Sequence, residues 1–479
     1  MKIYKKQGDT IQILCSPEET AEKGDYLHIE DQKMKKGLIV QVIDIQFANL
    51  PGILEDMLRD VMTEDSIKGY DCDPFNISSQ IETLKDTRLL VCKIRGSMEN
   101  GKAKSEATWL PSRTNSRIVL YPIEKLVSTK NGKRPMTLGR TRSSSLTVDV
   151  RMLDGKLNVI TGKKGVGKSH LSKLIILTLI KNGAPCLVFD VNGEYVNIGR
   201  SKNNEPNPEA DKISVMTPGQ NLRFGLKSVG LKTLLNTMIY ALELPRTSSK
   251  VFSRIWRELE KTGKLTLTEF NSAIRRFGCH ESVREAIYSR FNTLLDLELF
   301  SDDPSEIFDF ENSVQEMNRG CAYIINMKDQ HSLSRRLVVE LFISKLTEQL
   351  SEKMLKAVFL FAEEAHFYLR ETYWEDIVTR MRHLGVFTTF ITNQPDTVQE
   401  SVYRQADNIF MFNFTNDHDL EAVSKVAKID TESLKSIVKD LPKRNCLIVG
   451  DIVQDFPVVV NVKPLNVQTM GQTRHFFQD

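Results

Sequence analysis

Apolar positions follow two rhythms along the chain. Up to about Tyr121 they fall in short runs, clearest at Gly37–Ile45 and Arg88–Ile94. Turn-rich or charged stretches bound these runs, and only the region from Pro51 to Met62 carries a helical period. Short strands at this density predict a small barrel or sandwich. The polar, basic stretch Ser128 to Ser145, with Asn131-Gly132-Lys133-Arg134-Pro135, reads as a linker. From Leu157 the rhythm changes. Apolar strands are predicted at Leu157–Ile160, Cys186–Phe189, Ala322–Ile325, Val358–Phe361 and Phe387–Ile391, with a helix from Ser169 to Lys181. Fully apolar strands alternating with helices indicate an α/β fold, a parallel sheet covered on both faces. Between two of these strands, Leu231, Leu234, Leu235, Met238, Ile239 and Leu242 recur at helical spacing. So do Val251, Ile255 and Leu259, then Val283, Ile287, Phe291 and Leu294. Residues 230–300 therefore read as a helical insertion whose stripes form its own core. No internal repeat or low-complexity tract is present.

Composition narrows the classes. A length of 479 residues suggests two or three domains, and 41% hydrophobic residues suffice for a large core. The net charge is only +3 although 27% of residues are charged. Any nucleic-acid binding must then use local positive charge, in a groove or a pore. Met1-Lys2-Ile3-Tyr4-Lys5-Lys6 is not followed by an apolar signal-peptide core. No apolar run approaches the roughly 20 residues that span a bilayer. The seven cysteines are scattered, without a Cys-x-x-Cys pair, which fits a reducing compartment. A soluble, cytoplasmic protein with no membrane partner is the expectation.

The chemistry begins at Gly162-Lys163-Lys164-Gly165-Val166-Gly167-Lys168-Ser169, which fits G-x-x-x-x-G-K-[ST] between a predicted strand and a predicted helix. Glycines let the backbone curl so that successive N–H groups point at phosphate oxygens. The helix start adds its positive dipole end. Lys168 is expected on the β- and γ-phosphates of ATP, Ser169 on Mg2+, and His170 in the same nucleotide-binding turn. An acidic partner is needed, and Ala357–Phe361 runs into Ala362-Glu363-Glu364-Ala365-His366. Carboxylates there would lie in the crevice at the strand ends where α/β sheets bind ligands. Glu363 is assigned to the metal and Glu364 to the water-activating base. Asp190 and Glu194, in Phe189–Tyr195, and Gln394, in Asn393-Gln394-Pro395, also follow predicted strands. They are either γ-phosphate-facing groups or ordinary polar turn residues.

Together these segments resemble the HerA family of hexameric DNA-pumping ATPases, within the HerA–FtsK group of P-loop NTPases. The Walker A segment, Asp190–Tyr195, Glu363-Glu364-Ala365-His366 and Thr392–Pro395 occur in that family's order and spacing. The resemblance implies a RecA-like P-loop NTPase core with a helical insertion, preceded by a small N-terminal β-barrel. The boundaries expected are 1–125 for the barrel, 126–150 for the linker, 151–465 for the core with its insert at 228–315, and 466–479 for a tail. It further implies a homohexamer with double-stranded DNA bound without sequence preference in a central channel, and a separate nuclease or effector as partner. An arginine before the sensor strand reaches the neighbour's site in this family. Arg382 matches best and Arg380 is its competitor, while Met381 and His383 replace the family's commoner glycine and lysine. The other function class consistent with these residues is an ATP-regulated ring scaffold that controls an effector without translocating DNA.

Overall fold

Strands form where apolar and polar residues alternate in the N-terminal region, because period two puts one side of each strand into a shared core. In this computed structural model these are β1 (Lys2–Gln7), β2 (Thr10–Cys15), β3 (Tyr26–Asp31), β4 (Lys36–Phe47), β5 (Arg88–Glu99), β6 (Lys102–Lys104) and β7 (Ser116–Leu120). The structure describes residues 1–48, 86–99, 102–104, 109–127, 132–369, 376–414, 416–424 and 429–468. The helical period expected from Pro51 to Met62 lies outside them, as does nearly all of the expected tail. By backbone contacts the chain divides into two units. One comprises Met1–Lys130, Gly139–Val148 and Asn413–Val462; the other comprises Asn131–Leu138, Asp149–Phe412 and Lys463–Asp479.

In the first unit the strands make an antiparallel sheet in the order β1-β2-β5-β4-β3-β7, with β6 on β5. Ile11, Ile13, Leu27, Ile29, Leu38, Val40, Val42 and Leu90 are fully buried in one cluster. Among the described residues the hydrogen-bonded path runs from β1 to β7, a half-barrel that agrees in part with the small barrel expected from the sequence. The C-terminal segment packs in the same unit. Tyr26 Oη and Gln41 Nε2 both donate to the Pro457 carbonyl, at 2.8 and 2.9 Å. Arg95 pairs with Asp430 at 3.0 Å, at the start of the helix Thr431–Lys439. The stretch expected as a linker contains two strands, β8 (Pro135–Arg140) and β9 (Ser145–Asp149). β8 pairs with the hairpin strand Val458–Val462 so closely that a Cβ on Gly139 would lie 2.0 Å from the Asn461 carbonyl.

The second unit holds a run of parallel strands: β10 (Asn158–Thr161), β11 (Cys186–Asp190), β12 (Ile213–Met216), β13 (Ala322–Asn326), β14 (Val358–Glu363), β15 (Val386–Thr392) and β16 (Asn408–Met411). Their order is β12-β13-β11-β14-β15-β10-β16. Helix α1 (Lys168–Lys181) follows β10 and is apolar on most sides, as befits a helix with little solvent face. The insertion supplies α2 (Leu231–Tyr240), α3 (Arg246–Lys261), α4 (Leu267–Arg276) and α5 (Glu281–Asp296), before α6 (Phe310–Arg319). Its core is aromatic. Phe252 and Phe270 lie 4.8 Å apart, Phe270 and Phe291 4.9 Å. Helix α7 (Ser332–Ser351) leads to β14. Among the described residues no helix is long and apolar enough to cross a membrane.

Candidate nucleotide site

The strand order decides which side chains meet. β10 and β14 each flank β15, so the turns after all three strands share one edge of the sheet. The residues Thr161, Thr392 and Met411 stand in register there, as do Glu363 and Ile391. The loop after β10 carries the glycine pattern. A Cβ on Gly162 would lie 2.6 Å from Phe412 Cβ, and Gly165 has φ +78°, so both positions require glycine. Lys163 and Lys164 are exposed and Val166 is buried. Lys168 Nζ donates to the Gly162 and Lys163 carbonyls at 2.7 and 3.0 Å, folding the loop onto its own lysine. Burial lowers the Lys168 pKa, against the opposing charges of Glu364, Glu194 and Glu363. Ser169 follows it in the first turn of α1.

Two carboxylates meet beside this loop. Asp190 ends β11 fully buried, and its oxygens accept the Glu194 and Tyr195 N–H groups at 3.0 and 2.9 Å. It also hydrogen bonds to Glu363, which ends β14. Burial raises both pKa values, and for Glu363 the Asp190 and Glu194 charges push the same way. Two carboxylates in such contact share a proton, because both ionised would leave adjacent uncompensated charge. A divalent cation would discharge that pair. Among the described residues no set of three or more His, Cys, Asp or Glu side chains forms a preformed metal cage. Mg2+ binds with substrate phosphates through one or two protein ligands. Ser169 and Glu363 are the groups here that could hold it.

Glu364 turns away from its neighbour. Its backbone is left-handed, φ +44° and ψ +50°, a conformation disfavoured for glutamate and common at functional turns. The turn swings its carboxylate to the end of β15. There Oε2 accepts from Thr392 Oγ1 at 2.9 Å and Oε1 accepts from the Asn393 N–H at 3.0 Å. His366 Nδ1 lies 3.7 Å from Glu364, and burial lowers its pKa. Gln394 is exposed, with its N–H on Thr392 Oγ1. The site thus brings together Lys168, Asp190, Glu363 and Glu364, with Ser169, Glu194 and Gln394 adjoining. His170 stands outside this cluster, its Nε2 2.9 Å from the Lys463 carbonyl. Arg382 lies at the opposite end of the strands, with Nε on the Gly155 carbonyl at 2.8 Å and Nη2 on Asp407 at 3.0 Å.

One buried group of the site, Lys173, is not singled out by the sequence motifs. This lysine of α1 is only 2% exposed, with its ammonium 5.7 Å from the Tyr195 ring centroid. Burial lowers its pKa, opposed by Glu194, Asp190 and Glu363. Tyr195 is held by Ser172 at 2.6 Å. The signal for Lys173 is a single charge inside the apolar run Leu171–Ile180.

A glycine-rich loop on a helix N-terminus, closed by a lysine and faced by carboxylates on neighbouring parallel strands, defines a P-loop NTPase. Residues 136–346 match the family model described as Helicase HerA, central domain. Similar solved structures share the fold. The plasmid coupling protein TrwB with a non-hydrolysable ATP analogue has a TM-score of 0.52 at 13% identity, covering 74% of this chain and 93% of that one. VirB4 of Thermoanaerobacter pseudethanolicus has 0.50 at 14%, covering 70% and 98%. TrwB with ADP and Mg2+ has 0.50 at 12%, covering 73% and 93%. No curated protein sequence matches significantly.

Proposed function

We propose that this protein is an ATP-hydrolysing motor that works as a homohexameric ring on double-stranded DNA. The observation that carries the reading is Glu364, a buried carboxylate held by Thr392 and Asn393 on the strand between the acidic strand and the phosphate loop. In the proposed reaction Lys168 leaves the Gly162 and Lys163 carbonyls for the β- and γ-phosphates. Ser169 and Glu363 would hold Mg2+, which would offset phosphate charge. Glu364 orients the attacking water and takes its proton. Gln394, exposed beside it, reports the γ-phosphate to the surface.

The remaining parts of the proposal follow the family likeness. Residues 1–125 serve as a barrel-type N-terminal domain and 151–465 as the motor, acting in the cytoplasm with a separate nuclease or effector. The arginine completing the neighbour's site comes from the segment Arg380–Arg382, at the end of a π-helical turn, Ile377–Met381. Arg382 must release Asp407 to reach another subunit. Arg380 is 64% exposed, and its ion pair is with Asp376 one turn away. Mixing each arginine-to-alanine variant with Glu364→Gln distinguishes them, since a trans arginine regains activity in mixed rings. The motor itself is tested by ATP-dependent displacement of a labelled triplex strand. Hydrolysis without displacement, alone and with the partner, would replace the motor with the ring scaffold.

A further inference from the structure

Helix α3 of the insertion divides sharply by angle. At about 100° per residue, its buried Ser248, Phe252, Ile255 and Trp256 share one side. Arg246, Lys250, Arg254, Arg257 and Lys261 all fall on the opposite side, within an arc of about 80°, and all five are exposed. The stripe runs for about 22 Å at about 1.5 Å per residue. Arg254 lies over the Phe277 ring at 5.4 Å. Among the described residues the other four have no ion-pair partner, and the exposed Glu258 and Glu260 flank the stripe at its edges. Unanswered like charge on one helix face costs stability, and the aromatic core on the other side does not call for it.

We infer that this stripe is a binding surface for the phosphate backbone of duplex DNA, outside the nucleotide site. The inference rests on the DNA-motor reading above. Charge complementarity selects the partner. A duplex presents a phosphate charge about every 1.7 Å of its axis, so a straight row of cations meets phosphates along its whole length. An acidic protein would need apolar anchors at the centre of its interface. The exposed large hydrophobic side chains include none between Arg246 and Lys261, where the half-buried Ser249 and Ser253 lie to one side of the cations. Such contacts position the duplex without reading sequence.

The test is the full-length triple variant Arg246→Glu/Lys250→Glu/Arg257→Glu, which spares Arg254 and its ring contact. Binding to a fluorescein-labelled duplex of mixed sequence is followed by anisotropy across a salt series. Affinity at low salt is expected to fall about 100-fold, and the slope of log affinity against log salt to flatten by about 2–3 for three lost phosphate contacts. The DNA-free ATPase rate is expected to stay at the wild-type value. The neutral variant Arg246→Gln/Lys250→Gln/Arg257→Gln, safer for folding, is expected to flatten the slope in the same direction. Wild-type affinity and slope in the neutral variant overturn the inference and leave the motor reading standing. So does a loss confined to poly-glutamate, which would mark an acidic protein site. Failure of the wild-type protein to bind DNA at all overturns both.

Discussion

Replacing Glu364 by glutamine changes one atom type in the most constrained side chain of the site, so its consequences can be worked out. The native carboxylate takes one hydrogen bond from the Asn393 N–H and one from Thr392 Oγ1. Glutamine keeps an acceptor for Asn393. Its amide faces the Thr392 hydroxyl, which can turn its proton to the Gln394 carbonyl at 3.2 Å and accept the amide on its second lone pair, beside the Gln394 N–H. Both hydrogen bonds therefore survive in neutral form, and the stability change should stay within about 1 kcal/mol. Lys168 and the loop are untouched, so ATP affinity should hold within a few-fold. The lost proton acceptor is another matter. A positioned base contributes about 10²–10⁴ in rate, or roughly 3–5 kcal/mol of barrier. The expected phenotype of Glu364→Gln is a folded protein that binds ATP and releases phosphate at least about 100-fold more slowly. Single-turnover phosphate release, beside equilibrium binding of a fluorescent nucleotide, measures both. Turnover within a few-fold of wild type would remove Glu364 from the chemistry. Parallel loss of binding and turnover would make it a structural strut of the turn.

Lys168→Ala should also abolish turnover but, unlike Glu364→Gln, weaken nucleotide binding by about 2–4 kcal/mol, roughly 30- to 900-fold, because a buried charged partner of the phosphates is gone; titration of the labelled nucleotide reads this directly. Glu363→Gln removes a buried carboxylate whose pKa is raised by burial and by Asp190. A raised carboxylate loses stability as pH climbs through its folded value, so in chelator the variant should melt higher than wild type above the ordinary carboxylate range, while its Mg2+-dependent turnover collapses. Asp430 has the opposite sign. Burial alone would raise its pKa, but Ser433 and Arg95 hold it below the usual value. Its contribution is present above the unfolded pKa and fades as pH falls through the folded one. Arg95→Met should therefore move acid unfolding to higher pH, as followed by circular dichroism.

The parts of the site legible in the sequence are those that local geometry dictates. A strand is evident in Val358-Phe359-Leu360-Phe361 because four buried apolar residues in a row have few other solutions. The phosphate loop is equally legible, since its glycines answer to backbone geometry at Gly162 and Gly165. What stays hidden depends on distant partners. Lys173 looks like one stray charge in α1 until β11 brings Asp190 and Tyr195 beside it. The tie of Arg382 to Asp407 joins residues preceding two different strands. β8 and β9 are masked by their basic, polar surroundings, although Met136, Leu138, Leu146 and Val148 alternate into the interior. The link from Tyr26 and Gln41 to Pro457 spans most of the chain, and no periodicity announces it.

The ionic groups of the site share one property that explains why it must bind before it can act. Burial lowers the pKa of Lys168 and of Lys173, and burial raises those of Asp190 and Glu363. Each charge is therefore held where water no longer solvates it fully and where its neighbours compensate it only in part. Packing of α1 against the parallel sheet sustains that arrangement in the resting protein. In the proposed reaction a nucleotide polyphosphate would bring the negative charge that Lys168 lacks, and its accompanying cation the positive charge that Glu363 and Asp190 lack. Binding energy is then largest for a ligand carrying both, which favours the Mg2+ complex over free nucleotide. The dry surroundings that penalise these charges would also strengthen every interaction with charge developing during hydrolysis. A better-compensated site would melt higher and turn over more slowly, which is why Glu363→Gln is expected to gain stability while losing activity.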